Sequence, residues 1–343
     1  MTHLHKACAE WQPQDATLLV WPHHSSDWQP RLASITLTYL HMTAAISNHQ
    51  LVIIIVQDEQ HMEITRTQCV NHGCQQSNIE FLIIPTNDTW IRDYGPQLIT
   101  QNKDCIFLDF DFNAWGEQYS HHLDQAFAHK LWQQLSLDKY EYKNIPVVYE
   151  GGNLDFDSCG NILTNLKCAQ RNSSKFNHDE DVINLLKTNF NCKRVIGLHI
   201  DPLAGDDTGG HIDTLARFIN DNTIIYATSS HPEDPNYSVL ECLRAQLMNL
   251  QEQYNYTLIP LNMPNIPLID TLGQMLPASY INFVLINDGV LVPQYQDQQD
   301  SNALTILQTC YPSREIIPIN ACELVQQFGS LHCATLHIPA STL

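Results

Sequence analysis

Short apolar runs rich in β-branched residues return along the whole chain, and that recurrence constrains the fold more than any other feature. They are LVIIIV at 51–56, FLII at 81–84, CIFLDF at 105–110, PVVY at 146–149, TIIY at 223–226, INFVLI at 281–286 and VLVP at 290–293. Their length and composition predict strands. Between several of them the apolar residues take a helical period, as at Leu123, Phe127, Leu131 and Leu135, or at Val239, Leu243, Leu247 and Leu250. The class is therefore α/β or α+β. Glycine is scarce and no strand runs into GxGxxG or GxxxxGKS, so dinucleotide and nucleotide-phosphate folds lack their anchoring turn.

No linker, low-complexity tract or long charge run divides the 343 residues, so one domain over 1–343 is expected. Hydrophobic residues, at 43%, suffice for a sizeable core. The opening MTHLHKACAEWQPQ lacks the basic start and apolar run of a secretion signal, and no stretch is apolar for long enough to cross a bilayer. Eleven cysteines, odd in number and irregularly placed, fit reduced thiols in a cytoplasmic protein. There is no CxxC pair and no HExxH, so neither a metal nor another cofactor is expected. Against 37 Asp and Glu stand 17 Lys and Arg, a net charge of −20. Such a chain repels nucleic acid and anionic membranes and attracts small cations.

Four segments concentrate chemistry. In NDTWIRDYGP at 87–96, Asn87, Asp88, Arg92 and Asp93 crowd around Trp90 after a strand; the plain alternative is a surface turn with a solvated Arg–Asp pair. In VVYEGGNLDFDSCGNILT at 147–164, Glu150 precedes two glycines that permit close backbone approach; alternatively it is the polar end of a hairpin turning over Asp157 to Gly160. In DDTGGHIDTLARF at 206–218, His211 and Asp213 would share one face of a strand, the carboxylate tuning the imidazole as a general acid/base; a core histidine is the alternative. In FGSLHCATLHIP at 328–339, alternation reads as a strand turning Cys333 away from His332, so a nucleophilic thiol there needs a remote base; a structural cysteine is the alternative. Jointly these segments supply a thiol, an imidazole and several carboxylates, a set suited to nucleophilic catalysis on a cation.

Asp93, Glu150, His211 and Cys333 are separated by 57, 61 and 122 residues, the last being twice 61. This predicts a supersecondary unit of about sixty residues used five times, each presenting its residue toward a common axis.

Six ordered stretches carry a resemblance over nearly the whole chain: AEWQPQDATLLVWPHHSSDW at 9–28, NDTWIRDYGP, EGGNLDFDSCGNILT, DDTGGHIDTLARF, LPASYINFVLINDGVLVP and FGSLHCATLHIP. They resemble the agmatine deiminase and bacterial peptidylarginine deiminase family of the guanidine-modifying superfamily. The resemblance implies a five-bladed α/β propeller with pseudo-fivefold ββαβ repeats. It implies Cys333 as nucleophile, His211 as general acid/base, and Asp93 and Asp213 as the carboxylates that grip a guanidinium, with Trp90 along the substrate's alkyl chain and Glu150 supporting the site. The implied reaction is hydrolysis of agmatine to N-carbamoylputrescine and ammonia through a covalent cysteine amidino intermediate, a step of putrescine and polyamine biosynthesis that needs no cofactor. Asp88, Asp207 and Asp297 are candidates for the substrate's far end. Free, methylated or peptidyl arginine are alternative substrates, and the α-carboxylate of free arginine would need a partner among Arg31, Arg66, Arg171 and Arg244. An amidinotransferase and a non-catalytic guanidinium or polyamine binder are further alternatives, and a homo-oligomer stays open.

Overall fold

The computed structural model describes residues 6–101, 104–135, 140–265, 268–270 and 272–343; the first five residues, part of the segment read above for a secretion signal, lie outside it. Wherever two β-branched runs meet a stretch of helical period, the chain makes the same connection. In the first unit Gln97–Gln101 pairs antiparallel with Asp104–Asp111, and helices Ala114–Glu117, His122–Gln125 and Phe127–Leu135 lead to the parallel strand Glu141–Val148. The second pairs Asp155–Phe156 with Asn161–Asn165 and crosses through Leu166–Asn172 and Asp179–Phe190 to Arg194–Leu198. The third pairs Ala216–Asn220 with Thr223–Thr228 and crosses through Tyr237–Tyr254 to Thr257–Asn262. The fourth pairs Val284–Ile286 with Gly289–Gln294 and crosses through Asp300–Cys310 to Glu315–Asn320.

The last unit is shared between the two ends of the chain. Thr335–Pro339 pairs antiparallel with Gln14–Val20, which continues through helix Leu32–Ser47 to the parallel strand Leu51–Val56, then through Glu59–His72 to Ile79–Ile83. A parallel neighbour cannot be reached by a tight turn, so each unit needs its helical crossover, and the helix buries its apolar stripe on the sheet. Leu240, Leu243 and Leu247 form that stripe in the third unit. The result is a mixed α/β fold of five small sheets among the described residues.

Two readings of the sequence need correction. INFVLI forms a strand only over Val284–Ile286, because Asn282 is engaged by the backbone of His332 and Cys333. The stretch with leucines at steps of four is two helices, interrupted at Ala126. The hairpin turning over Asp157 to Gly160 is present. No helix among the described residues is long and apolar enough to cross a membrane.

Arg217 ties the units together. Fully buried, it donates to Glu10 Oε2 at 2.7 Å, to Asp155 Oδ1 at 3.3 Å and to the Phe283 carbonyl, and its guanidinium lies 4.5 Å from the Phe283 ring centroid. Arg217→Met keeps much of the volume but strands two buried carboxylates, so urea unfolding should show a loss of about 3–5 kcal/mol; an unchanged midpoint would contradict this role.

Candidate active site

The catalytic candidates and Glu150 stand in segments leading into the first strand of a unit. Asp93 lies in the helical turn Ile91–Tyr94 ahead of Gln97, Glu150 ahead of Asp155, His211 and Asp213 ahead of Ala216, and Cys333 ahead of Thr335. The remaining unit contributes Asn282, two residues before Val284, placed 71 residues after His211 and 51 before Cys333. The interval of 122 therefore hides a further member. Its spacing was the available signal, but an amide inside an apolar run carries no titratable mark.

Asp93, His211, Asp213 and Cys333 line one cavity, partly open to solvent, together with Trp90 and Asp88. These four are buried, whereas Asp27, Asp88 and Asp207 on the same wall are partly or fully exposed and mark the mouth. No Lys or Arg stands among the described lining residues. Trp115, Tyr119, Asp206 and Asp27 also line it, none of them singled out from the sequence as a contact.

Asp93 is fixed by two donors, Gly152 N at 2.9 Å to Oδ1 and Trp115 Nε1 at 3.1 Å to Oδ2. His211 lies between two carboxylates, with Nδ1 3.5 Å from Asp93 Oδ1 and Nε2 3.7 Å from Glu150 Oε2. A Cβ on Gly152 would meet Asp93 Oδ1 and His211 Nδ1 at 2.6 Å each, so the close approach anticipated for the glycine pair is realised here. Cys333 Sγ is 3.3 Å from Asn282 Nδ2 and 3.7 Å from Asp213 Oδ2. Trp90 packs against Trp28 at 5.8 Å and fits only because residue 329 is glycine, where a Cβ would come within 2.3 Å of the ring.

Several local expectations fail for physical reasons. His211 and Asp213 share no strand face: they flank the start of the turn Ile212–Thr214, and Asp213 turns instead to His332 Nδ1 at 2.8 Å. The strand expected through Cys333 begins only at Thr335, after a turn that brings both Cys333 and His332 to Asp213. Asp93 forms no solvated pair with Arg92, whose guanidinium donates to the His332 carbonyl and lies against His337. Glu150 is not among the cavity's lining residues; it backs His211 and accepts from Asn172 Nδ2 at 3.2 Å. Asp297 lies outside the cavity, accepting from Asn265 N and Gln299 N.

Burial pushes the Asp93 carboxyl up to about 6, with Asp213 and Glu150 adding to the rise. Burial opposes charging of His211, but the Asp93 carboxylate and the neighbouring Cys168 and Glu150 outweigh it, so the imidazole is held well above its usual range. Asp213 also resists burial, because His332 keeps it ionised below the ordinary carboxylate value. The Cys333 thiol is raised well above its usual value by burial and then by the charges of Asp213 and Asp93. These charges favour the protonated thiol, and a cation placed between the carboxylates would oppose them.

Among the described residues, two groups of side chains have donors suited to a metal: Glu150, Cys168 and His211, and Asp157, Cys159 and Asp221, each with ligand atoms within 4.8 Å of one another. In both, protein hydrogen bonds already engage donors: Asn172 on Glu150 and Thr208 O on Cys168, and Asn161 on Asp157 and Ser158 on Asp221.

Gly152→Ala forces Asp93 and His211 apart. Thermal or urea denaturation should show a loss of about 1–3 kcal/mol, the usual penalty of overpacking; wild-type stability would mean the two side chains move aside freely.

Residues 6–339 match the family of Porphyromonas-type peptidyl-arginine deiminases. A candidate agmatine deiminase of Legionella pneumophila strain Paris is 30% identical, over 97% of this chain and 95% of its own. Among solved structures, Campylobacter jejuni agmatine deiminase, as a cysteine-to-serine variant with substrate bound, superposes with a TM-score of 0.90 at 33% identity, covering 99% of this chain and 98% of that one. A candidate arginine deiminase of Porphyromonas gingivalis superposes at 0.88 with 34% identity, over 98% and 99% of the two chains.

Proposed function

This chain belongs to the Porphyromonas-type peptidyl-arginine deiminase family, and on that premise we propose that it is an agmatine deiminase, hydrolysing agmatine to N-carbamoylputrescine and ammonia. The observation that carries this is the cavity itself: a thiol, an imidazole and two fixed carboxylates meet in a space with an acidic mouth and no Lys or Arg among its described lining residues.

A guanidinium presents five N–H donors in a plane, and Asp93 and Asp213 can take them in charge-assisted pairs that hold the central carbon near the Cys333 sulfur. The bound cation offsets the charges that keep the thiol protonated, the thiol gives up its proton to solvent through the open mouth, and the thiolate attacks the carbon. His211 gives a proton to one nitrogen, which leaves as ammonia, and an amidino-thioether remains on Cys333. Deprotonated His211 then takes a proton from water, the hydroxide adds to the same carbon, and collapse returns the thiolate and the ureido product. Asn282 keeps the sulfur in line, and Trp90 flanks the alkyl chain.

The far ammonium belongs at the mouth, with Asp88 and Asp207; Tyr119 holds Asp207 through a 3.0 Å hydrogen bond. An amino acid α-carboxylate would be repelled there. Each of the four arginines considered for that carboxylate is instead engaged elsewhere: Arg31 with Glu323, Arg66 with Glu63, Arg171 with Asp201 and Arg244 with Glu241. The repeated connectivity and the equivalent placement of Asp93, Glu150, His211, Asn282 and Cys333 support five blades around one axis in a single domain. Eleven unbridged cysteines suit a cytoplasmic setting, and the charge of −20 suits a small cation rather than nucleic acid.

Ammonia release with agmatine, arginine and an arginine peptide, each with product identification and with an added amine, tests the assignment. Agmatine should dominate and yield the ureido product; preference for arginine would overturn the substrate, and transfer to the amine would overturn hydrolysis. Burial holds Asp88 and Asp207 up to about 7, with neighbouring acids adding, and Asp93 near 6. Raising the pH through that window ionises them, so KM for agmatine should fall from about pH 5.5 to about pH 8, on the order of tenfold per unit for each required ionisation. Asp88→Asn and Asp207→Asn should each raise KM about tenfold with kcat nearly kept; an unchanged KM removes that residue from the far-end site.

A further inference from the structure

Asp213 has two tasks in this reaction, gripping the guanidinium and standing beside the thiol, and it is neither capped by backbone donors nor paired with arginine. Its Oδ2 is 2.8 Å from His332 Nδ1, while its buried Oδ1 has no hydrogen-bond partner among the described residues and is left for a ligand. The other ring nitrogen, His332 Nε2, is 2.7 Å from Glu10 Oε2. The ring of His332 therefore bridges the two carboxylates, one at each nitrogen. Glu10 is fixed in turn, by Arg217 Nη2 at 2.7 Å and by Leu285 N, which donates to Oε1 at 2.8 Å. Arg92 and His337 approach Glu10 Oε2 to 3.9 Å each, and Asp155 stands beyond Arg217. On the other side, Asp213 faces Cys333 and the charge of His211.

Glu10 does not touch the reaction cavity. It lines a second one with Arg92, Gln97, Asp155, His332 and His337. The shortest path from its carboxylate to Asp213 runs through the ring of His332. We propose that Glu10 is a positioning residue for deimination: through His332 it locks the rotamer of Asp213, so that Oδ1 is presented to the guanidinium and Oδ2 stays beside the Cys333 sulfur. The inference rests on the roles given above to Asp213 and Cys333. A side chain near the start of the chain thereby sets the geometry of a carboxylate in the third unit and a thiol in the last.

Two alkylating reagents test it: 2-chloroacetamidine, a planar cation shaped like the guanidinium head, and neutral iodoacetamide. In the native protein Cys333 should strongly prefer the cation. Glu10→Gln keeps the shape and leaves Arg217 its contacts with Asp155 and the Phe283 carbonyl. It should cut that preference about tenfold, and combining it with His332→Gln should give no further loss, as for residues acting through one another. A purely structural defect would slow both reagents alike. Glu10→Asp, which keeps the charge but withdraws it from His332, is the second variant should Glu10→Gln fail to fold, and it should lose part of the preference. An unchanged preference in the folded variant, or equal slowing with both reagents, overturns the inference. No preference for the cation in the native protein would instead overturn the roles of Asp213 and Cys333 on which it rests.

Discussion

Burying carboxylates without enough counter-ions is the constraint on which the rest of this structure depends. Asp93, Asp213 and Glu150 are themselves buried near His211, where an isolated charge is costly. Each carboxylate is therefore individually secured: Asp93 by Gly152 N and Trp115, Glu150 by Asn172, and Asp213 by His332. One oxygen of Asp213, the buried Oδ1, has no hydrogen-bond partner among the described residues. In the proposed reaction the substrate's charge offsets the carboxylates that hold the thiol protonated.

The fold serves this by repetition. One hairpin, one helical crossover and one parallel strand make a unit, and the segment entering each hairpin is the place where a side chain can be offered inward. Five such entries deliver Asp93, Glu150, the His211 and Asp213 pair, Asn282 and Cys333. Arg217, bound to Glu10, Asp155 and the Phe283 carbonyl, holds neighbouring units in register. Stability and catalysis thus share residues, since the charges that staple the units also steady Asp213.

Much of this was legible in the sequence, for identifiable reasons. Strands such as Leu51–Val56 and Gly289–Gln294 announce themselves because they are buried on both faces and so read as continuous apolar runs. The even spacing of Asp93, Glu150 and His211 reflected the repeating unit directly. Local geometry was less legible, since the turns at Ile212–Thr214 and ahead of Thr335 look like strands by alternation and are bent by long-range contacts, with His332 reaching Asp213 and Glu10. Asn282 and Trp115 were missed because their work lies in placement, and their residue types carry no charge to attract notice. Glu150, read as supporting the site, lies beside Nε2 of the imidazole, on the side away from Asp93.

The covalent step is the claim most directly open to measurement. Native protein turning over agmatine, quenched in acid and digested, should yield the Cys333 peptide carrying agmatine less ammonia, and Cys333→Ala should show neither the adduct nor ammonia release. Sustained ammonia release by Cys333→Ala, with no adduct on the native peptide, would contradict a cysteine-centred mechanism altogether.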